Sequence, residues 1–176
     1  MPAMKKYFFL FALSLALSII GKAQQVPSAD EILKEARAKA AKENKKVMVI
    51  FHASWCGWCH KMDTSLNDPS VKNFFDKNYV ITHLTIAESP DKKNLENPGA
   101  EELNKKWGGE NQGIPFWVIM DKDGNILADA LMQPDKSVGC PATTEEVAHF
   151  IKVLKKTSSI SDEQVAAVEK RFRRNE

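Results

Sequence analysis

The apolar residues fall into alternating blocks of two periodicities. Ile32, Leu33, Ala36 and Ala40 recur at helical spacing through a stretch rich in Ala and Lys, and Ser28 with Glu31 forms a capping box ahead of them, so the spacing predicts a helix over 28–43. Val47-Met48-Val49-Ile50-Phe51 is instead a continuous apolar run, which fits a strand over 47–52 buried on both faces at the centre of a parallel or mixed sheet. Helical spacing returns at Cys59, Met62, Asp63 and Leu66 and should stop or kink at Asp68-Pro69. Val71, Phe74 and Phe75 continue as a second helical piece into a strand over Tyr79–Ile86, which makes one right-handed βαβ unit.

Residues 87–99 are polar and carry prolines, and read as an exposed loop; 100–107 reads as a short helix ending before Gly108-Gly109. Strands Phe116–Met120 and Ile126–Leu131, joined through Asp123-Gly124, predict an antiparallel hairpin. After a loop with Pro134 and Pro141, Thr143 and Glu146 announce a helix with Val147, Phe150, Ile151 and Leu154 on one face. Ser161 and Gln164 announce a last helix packed through Val165, Val168 and Phe172. There is no internal repeat and no low-complexity tract.

The chemistry converges on Trp55-Cys56-Gly57-Trp58-Cys59-His60, between the buried strand and the helix after it. At a helix start the first sulfur, Cys56, meets unpaired backbone N–H groups and the positive end of the helix dipole, which favour thiolate over thiol. Cys56 is the expected nucleophile. Cys59, one helical turn on, is placed to attack a mixed disulfide on Cys56 and is the expected resolving thiol.

Residues 45–60 resemble the thioredoxin superfamily, and SWCGWCHKM looks most like small exported thioredoxin-like proteins of Gram-negative bacteria. A second landmark of that family, an Ile-Pro or Thr-Pro step facing the dithiol with its proline cis, is matched by Ile114-Pro115 some sixty residues downstream. The resemblance implies an α/β thioredoxin-like fold, a central mixed sheet flanked by helices, here with extra N- and C-terminal helices. It implies a thiol–disulfide oxidoreductase whose working group is the Cys56–Cys59 disulfide, with no further cofactor and no metal. Trp55, Gly57, Trp58, Ile114 and Pro115 would line the substrate contact.

Two departures bear on redox behaviour. Trp58 replaces the family's common proline, leaving an extra N–H at the helix start, and His60 adds a candidate positive charge; both would favour thiolate and an oxidising poise. The buried carboxylate that thioredoxins carry six residues before the nucleophile is replaced by Ile50. Proton transfer at Cys59 must then use water, His52 on the same strand face, or a group not evident in the sequence.

Composition adds the compartment. Lys5 and Lys6, an apolar run from Tyr7 to Ile20, and Gly21-Lys22-Ala23 before Gln24 match a secretory signal peptide, so residues 1–23 should be removed and 24–176 form one domain. The sequence has 25 Lys and Arg against 23 Asp and Glu; without Lys5, Lys6 and Lys22 the balance is 22 to 23. Near neutrality argues against nucleic acid as a partner, and Lys170, Arg171, Arg173 and Arg174 read as a solvated basic helix end. Cys140 is left over and reads as a partly buried loop thiol. A periplasmic reductase of exported protein disulfides, recharged by a membrane-embedded electron donor, is the leading expectation. The alternatives are a disulfide oxidase or isomerase, a non-catalytic thioredoxin-fold binding module, and a c-type haem protein, since Cys56-Gly57-Trp58-Cys59-His60 also spells a haem attachment site.

Overall fold

The computed structural model describes residues 26–176, so the expected leader, residues 1–23, lies outside the described residues. The first helix, α1 (Ala29–Glu43), begins at Ser28, whose hydroxyl accepts the Glu31 N–H while the Glu31 carboxylate accepts the Ser28 N–H. Its buried stripe is Ala29, Leu33, Ala36 and Ala40. Asn44 ends it in the left-handed conformation, and β1 (Lys46–His52) follows with its five middle residues buried.

β1 is central, as two-sided apolarity requires. It pairs in parallel with β2 (Tyr79–Thr85) and antiparallel with β3 (Phe116–Met120), which pairs antiparallel with β4 (Ile126–Asp129), giving the order β2-β1-β3-β4. The β1–β2 crossover carries α2 (Gly57–Leu66) and α3 (Lys72–Asn78), broken at Asp68-Pro69 where helix continuation loses a donor. After β2 come a 3₁₀ turn (Pro90–Leu95) and the short α4 (Ala100–Lys106). The β3–β4 turn is tied by the Asp121 carboxylate, which accepts from the backbone N–H groups of Asp123 and Asn125, and Gly124 supplies φ +92°. Arg37 from α1 donates to the carbonyls of Lys122 and Asp123 in that turn.

Two capped helices complete the fold. α5 (Thr144–Thr157) and α6 (Asp162–Phe172) both start on reciprocal capping boxes, at Thr143 with Glu146 and Ser161 with Gln164. Phe150 of α5 and Phe172 of α6 meet ring to ring at 4.9 Å and reach Trp117 of β3 and Phe75 of α3, so one aromatic cluster joins four elements. Among the described residues, no helix is long and apolar enough to cross a membrane.

The expected strand Ile126–Leu131 divides. It leaves the main sheet after Asp129, and Leu131–Gln133 (β5) instead pairs with Lys136–Ser137 (β6) in a separate ribbon. Asp129 causes part of this, since its carboxylate accepts the Leu131 N–H and turns the chain. The basic end of α6 is not simply solvated either. Arg171 is buried beside Asp68, with Nε 2.8 Å from its carboxylate at an angle that makes an ion pair and no hydrogen bond, while Arg173 donates to the Ala142 carbonyl.

Candidate active site

Cys56 occupies the N-cap of α2, with extended backbone at φ −79° and ψ 101°. In that position its sulfur accepts the backbone N–H of Cys59 at 3.1 Å, the bond a serine or aspartate oxygen would make in an ordinary N-cap. Cys56 and Cys59 are joined in a disulfide with their Cα atoms 5.2 Å apart. Both are buried and pack with Ala53 and Ile114 in a small apolar cluster set apart from the main core. Gly57, the first residue of α2, has open space where a Cβ would stand.

Ile114 and Pro115 come to the dithiol from the chain entering β3, across 58 residues of sequence. The Ile114 carbonyl oxygen lies 3.6 Å from the Cys56 sulfur, and the Ile114–Pro115 peptide bond is cis. Beside it runs a groove of about 440 Å³, whose lining includes Trp58, Gly113, Ile114, Pro115, Val138 and Gly139. The groove is mainly apolar. Trp55 and Trp58 stand around the disulfide as two of the exposed large hydrophobic residues, at 59% and 48%. The Trp55 indole N–H donates to the Ala87 carbonyl at 2.8 Å, while the Lys61 ammonium sits 4.2 Å above the Trp58 ring.

The two histidines have different surroundings. The His60 ring nitrogen Nε2 is 3.0 Å from the Ser54 carbonyl, an acceptor only, so His60 donates there. His52 is half-buried, with Nε2 3.2 Å from the Thr85 hydroxyl and its ring 4.8 Å from that of His83, which itself donates to Asp63 at 2.8 Å. Burial lowers the His52 pKa, and the neighbouring His83 adds to that, so the ring favours its neutral form. Ile50 is fully buried in β1, so its position holds no proton acceptor.

One residue of this neighbourhood was not evident in the sequence. Glu88 belongs to the stretch 87–99, expected to be an exposed loop, yet it is buried: its carboxylate accepts the Ser54 backbone N–H at 2.6 Å and the Ser54 hydroxyl at 2.8 Å. Burial pushes its pKa up, but the two bonds from Ser54 outweigh it and hold the carboxyl below its ordinary value. Asn97, in the same stretch, is also buried, accepting the Thr85 N–H and donating to the Pro27 carbonyl. A burial signal was absent because the partners lie 34 and 12 residues away in sequence.

Cys140 is a free thiol, more buried than expected, lying near Asn175. Desolvation pushes its pKa up to about 12.

Residues 29–122 match the family model described as thioredoxin-like. Among solved structures, the chain is similar to a disulphide isomerase from Xylella fastidiosa Temecula1, at 24% identity over 57% of this chain and 72% of that one, with a TM-score of 0.46. It is also similar to a DsbH oxidoreductase, at 22% identity over 76% and 83% with a TM-score of 0.45. A thioredoxin from Thermus thermophilus shares 23% identity over 74% and 83% with a TM-score of 0.43. No curated protein matches the sequence. At such identities and scores the assignment rests on the sequence model and on the paired cysteines. With that match over more than half its length, and with the Cys56–Cys59 pair of a thiol–disulfide oxidoreductase, the chain belongs to the thioredoxin-like family.

Proposed function

We propose that the protein is a periplasmic reductase of disulfides in exported proteins. The observation that carries exchange at Cys56 is the Cys59 N–H donated to its sulfur at the start of α2, which in the reduced protein stabilises a thiolate at Cys56 in preference to Cys59; the reducing direction is taken from the family resemblance. The Cys56 thiolate attacks one sulfur of a substrate disulfide, forming a Cys56–substrate disulfide and expelling a substrate thiolate that takes up a proton. Cys59 then gives up its proton and attacks the Cys56 sulfur, releasing the second substrate thiol and leaving the Cys56–Cys59 disulfide. Two electrons and two protons pass to the substrate.

The groove beside Pro115 and the indoles of Trp55 and Trp58 supply apolar contact for an extended substrate chain next to the sulfur. Neutral His52 is the candidate proton acceptor for Cys59, and His60 a candidate for tuning Cys56. Export rests on the leader-like pattern of residues 1–23, and the reducing direction requires a membrane-embedded donor to reduce Cys56–Cys59 again.

The test is the equilibrium of the Cys56–Cys59 couple against dithiothreitol and glutathione, read by tryptophan fluorescence, with an absorption spectrum of the same sample. A potential near thioredoxin's, about −270 mV, supports the reductase. One near about −120 mV replaces it with a disulfide oxidase, and a haem spectrum would replace both.

A further inference from the structure

The turn that delivers Cys56 is held from outside its own segment. Every polar atom of Ser54 is engaged: N–H and hydroxyl by the Glu88 carboxylate, carbonyl by His60. Next to it, the Trp55 indole donates to Ala87, so two adjacent residues of the turn are fastened to two adjacent residues of the segment after β2. That segment is braced independently. Ala87 is held at φ +53°, a left-handed conformation unfavourable to a residue with a Cβ, and the Glu88 N–H donates to Glu96, itself paired with Lys93. Asn97 then pins the far end to β2.

A loop brace alone would be served by a neutral side chain. Here the side chain is a buried carboxylate, and no Lys or Arg among the described residues forms a salt bridge with it. The ionisable groups around it are His52 of β1, His60 of α2, and Lys92 and Glu96 of its own segment. Its charge is thus fixed on Ser54, two residues before Cys56, and a negative charge there works against a thiolate.

We infer that Glu88 is a positioning residue of the exchange site: it locks the Ser54–Trp55 turn, and its negative charge offsets part of the pull of the α2 terminus on the Cys56 thiolate, biasing the couple toward reduction of substrates. This rests on the proposed exchange reaction at Cys56 and adds what sets its direction. A less stabilised thiolate makes the reduced dithiol a better electron donor.

The experiment uses the purified protein with Glu88→Gln, Glu88→Ala or Ser54→Ala, with folding checked by circular dichroism. Two quantities are read: the pH at which reduced Cys56 ionises, by thiolate absorbance, and the equilibrium with glutathione. Glu88→Gln keeps the shape and an acceptor oxygen but no charge. It should move Cys56 ionisation to lower pH and shift the glutathione equilibrium toward the reduced protein by roughly three- to tenfold. Glu88→Ala should shift the same way, with altered Trp55 fluorescence because the turn is released. Ser54→Ala keeps the charge and should leave Cys56 ionisation close to that of the unaltered protein.

Folded Glu88→Gln with unchanged ionisation and equilibrium overturns the inference, as does a Ser54→Ala shift equal to that of Glu88→Gln. If Glu88→Ala does not fold, the isosteric Gln variant carries the decision. Failure of the unaltered protein to exchange with glutathione at all would instead sink the exchange reading itself.

Discussion

Cys56 and Cys140 are buried to nearly the same degree, 3% and 6% exposed, yet their surroundings assign them opposite chemistry. The Cys56 sulfur receives a backbone N–H at a helix start, whereas desolvation dominates around Cys140 and pushes its pKa up to about 12. Burial alone does not decide a thiol's reactivity. Each sulfur has one N–H donor, since the Asn175 amide donates to Cys140 at 3.4 Å; what separates them is that Cys56 stands at the start of α2, where the helix dipole favours a thiolate, while around Cys140 the loss of water outweighs its single donor.

The largest test of this contrast is selective alkylation. In the native reduced protein at pH 8, about one Cys140 in 10⁴ is ionised given a pKa of about 12, so iodoacetamide should label Cys56 in minutes and Cys140 only after unfolding. Peptide mapping by mass spectrometry reads this directly, and equal labelling of both would dissolve the contrast.

Cys56→Ser should drop disulfide reduction by at least about 10³-fold, because no other described thiol is poised to attack. Cys59→Ser should retain the first attack and accumulate a mixed disulfide, visible as an added mass on intact protein. If Cys59→Ser is as inert as Cys56→Ser, the assignment of the two sulfurs is reversed or wrong.

Smaller effects probe the Cys140 side. Asn175 there accepts from Ser65 and Arg171 and donates to the Pro141 carbonyl, all in buried surroundings. Asn175→Ala should therefore cost about 1–3 kcal/mol in denaturant unfolding, the usual penalty for stranding buried polar groups. It should also speed Cys140 labelling.

Last comes a pH slope. Because the Cys140 pKa is raised in the folded state, the unfolded chain loses that proton first, near the ordinary value of 9. Folding stability from this group is complete below pH 9 and is lost as pH rises toward about 12. Thermal unfolding between pH 8 and 10 should show the decline, and Cys140→Ala should flatten it.

Much of this was readable from local pattern. The three capping boxes at Ser28, Thr143 and Ser161 involve residues three apart, and the strand at 47–52 declares itself by continuous apolarity; both signals are short-range. The paired cysteines and Ile114-Pro115 were legible as a spacing. Glu88 was not, because a glutamate among prolines and lysines has no mark of burial until Ser54, 34 residues earlier, is brought against it. The break after Asp129 depended on which acceptor the Leu131 N–H would choose, and the burial of Arg171 on Asp68 arriving from the kink between α2 and α3. Such pairings belong to the tertiary structure.

The aromatic cluster under the sheet bears on modularity. The stretch that matches the thioredoxin-like family ends at residue 122, but Phe75 inside it packs on Phe150 and Phe172 beyond it, and Trp117 meets Phe150 edge-on. The boundary of what is recognisable in sequence therefore cuts through a single packed core. A chimera joining residues up to 122 to the tail of another family member would expose these rings, so the two parts of this chain must be exchanged together.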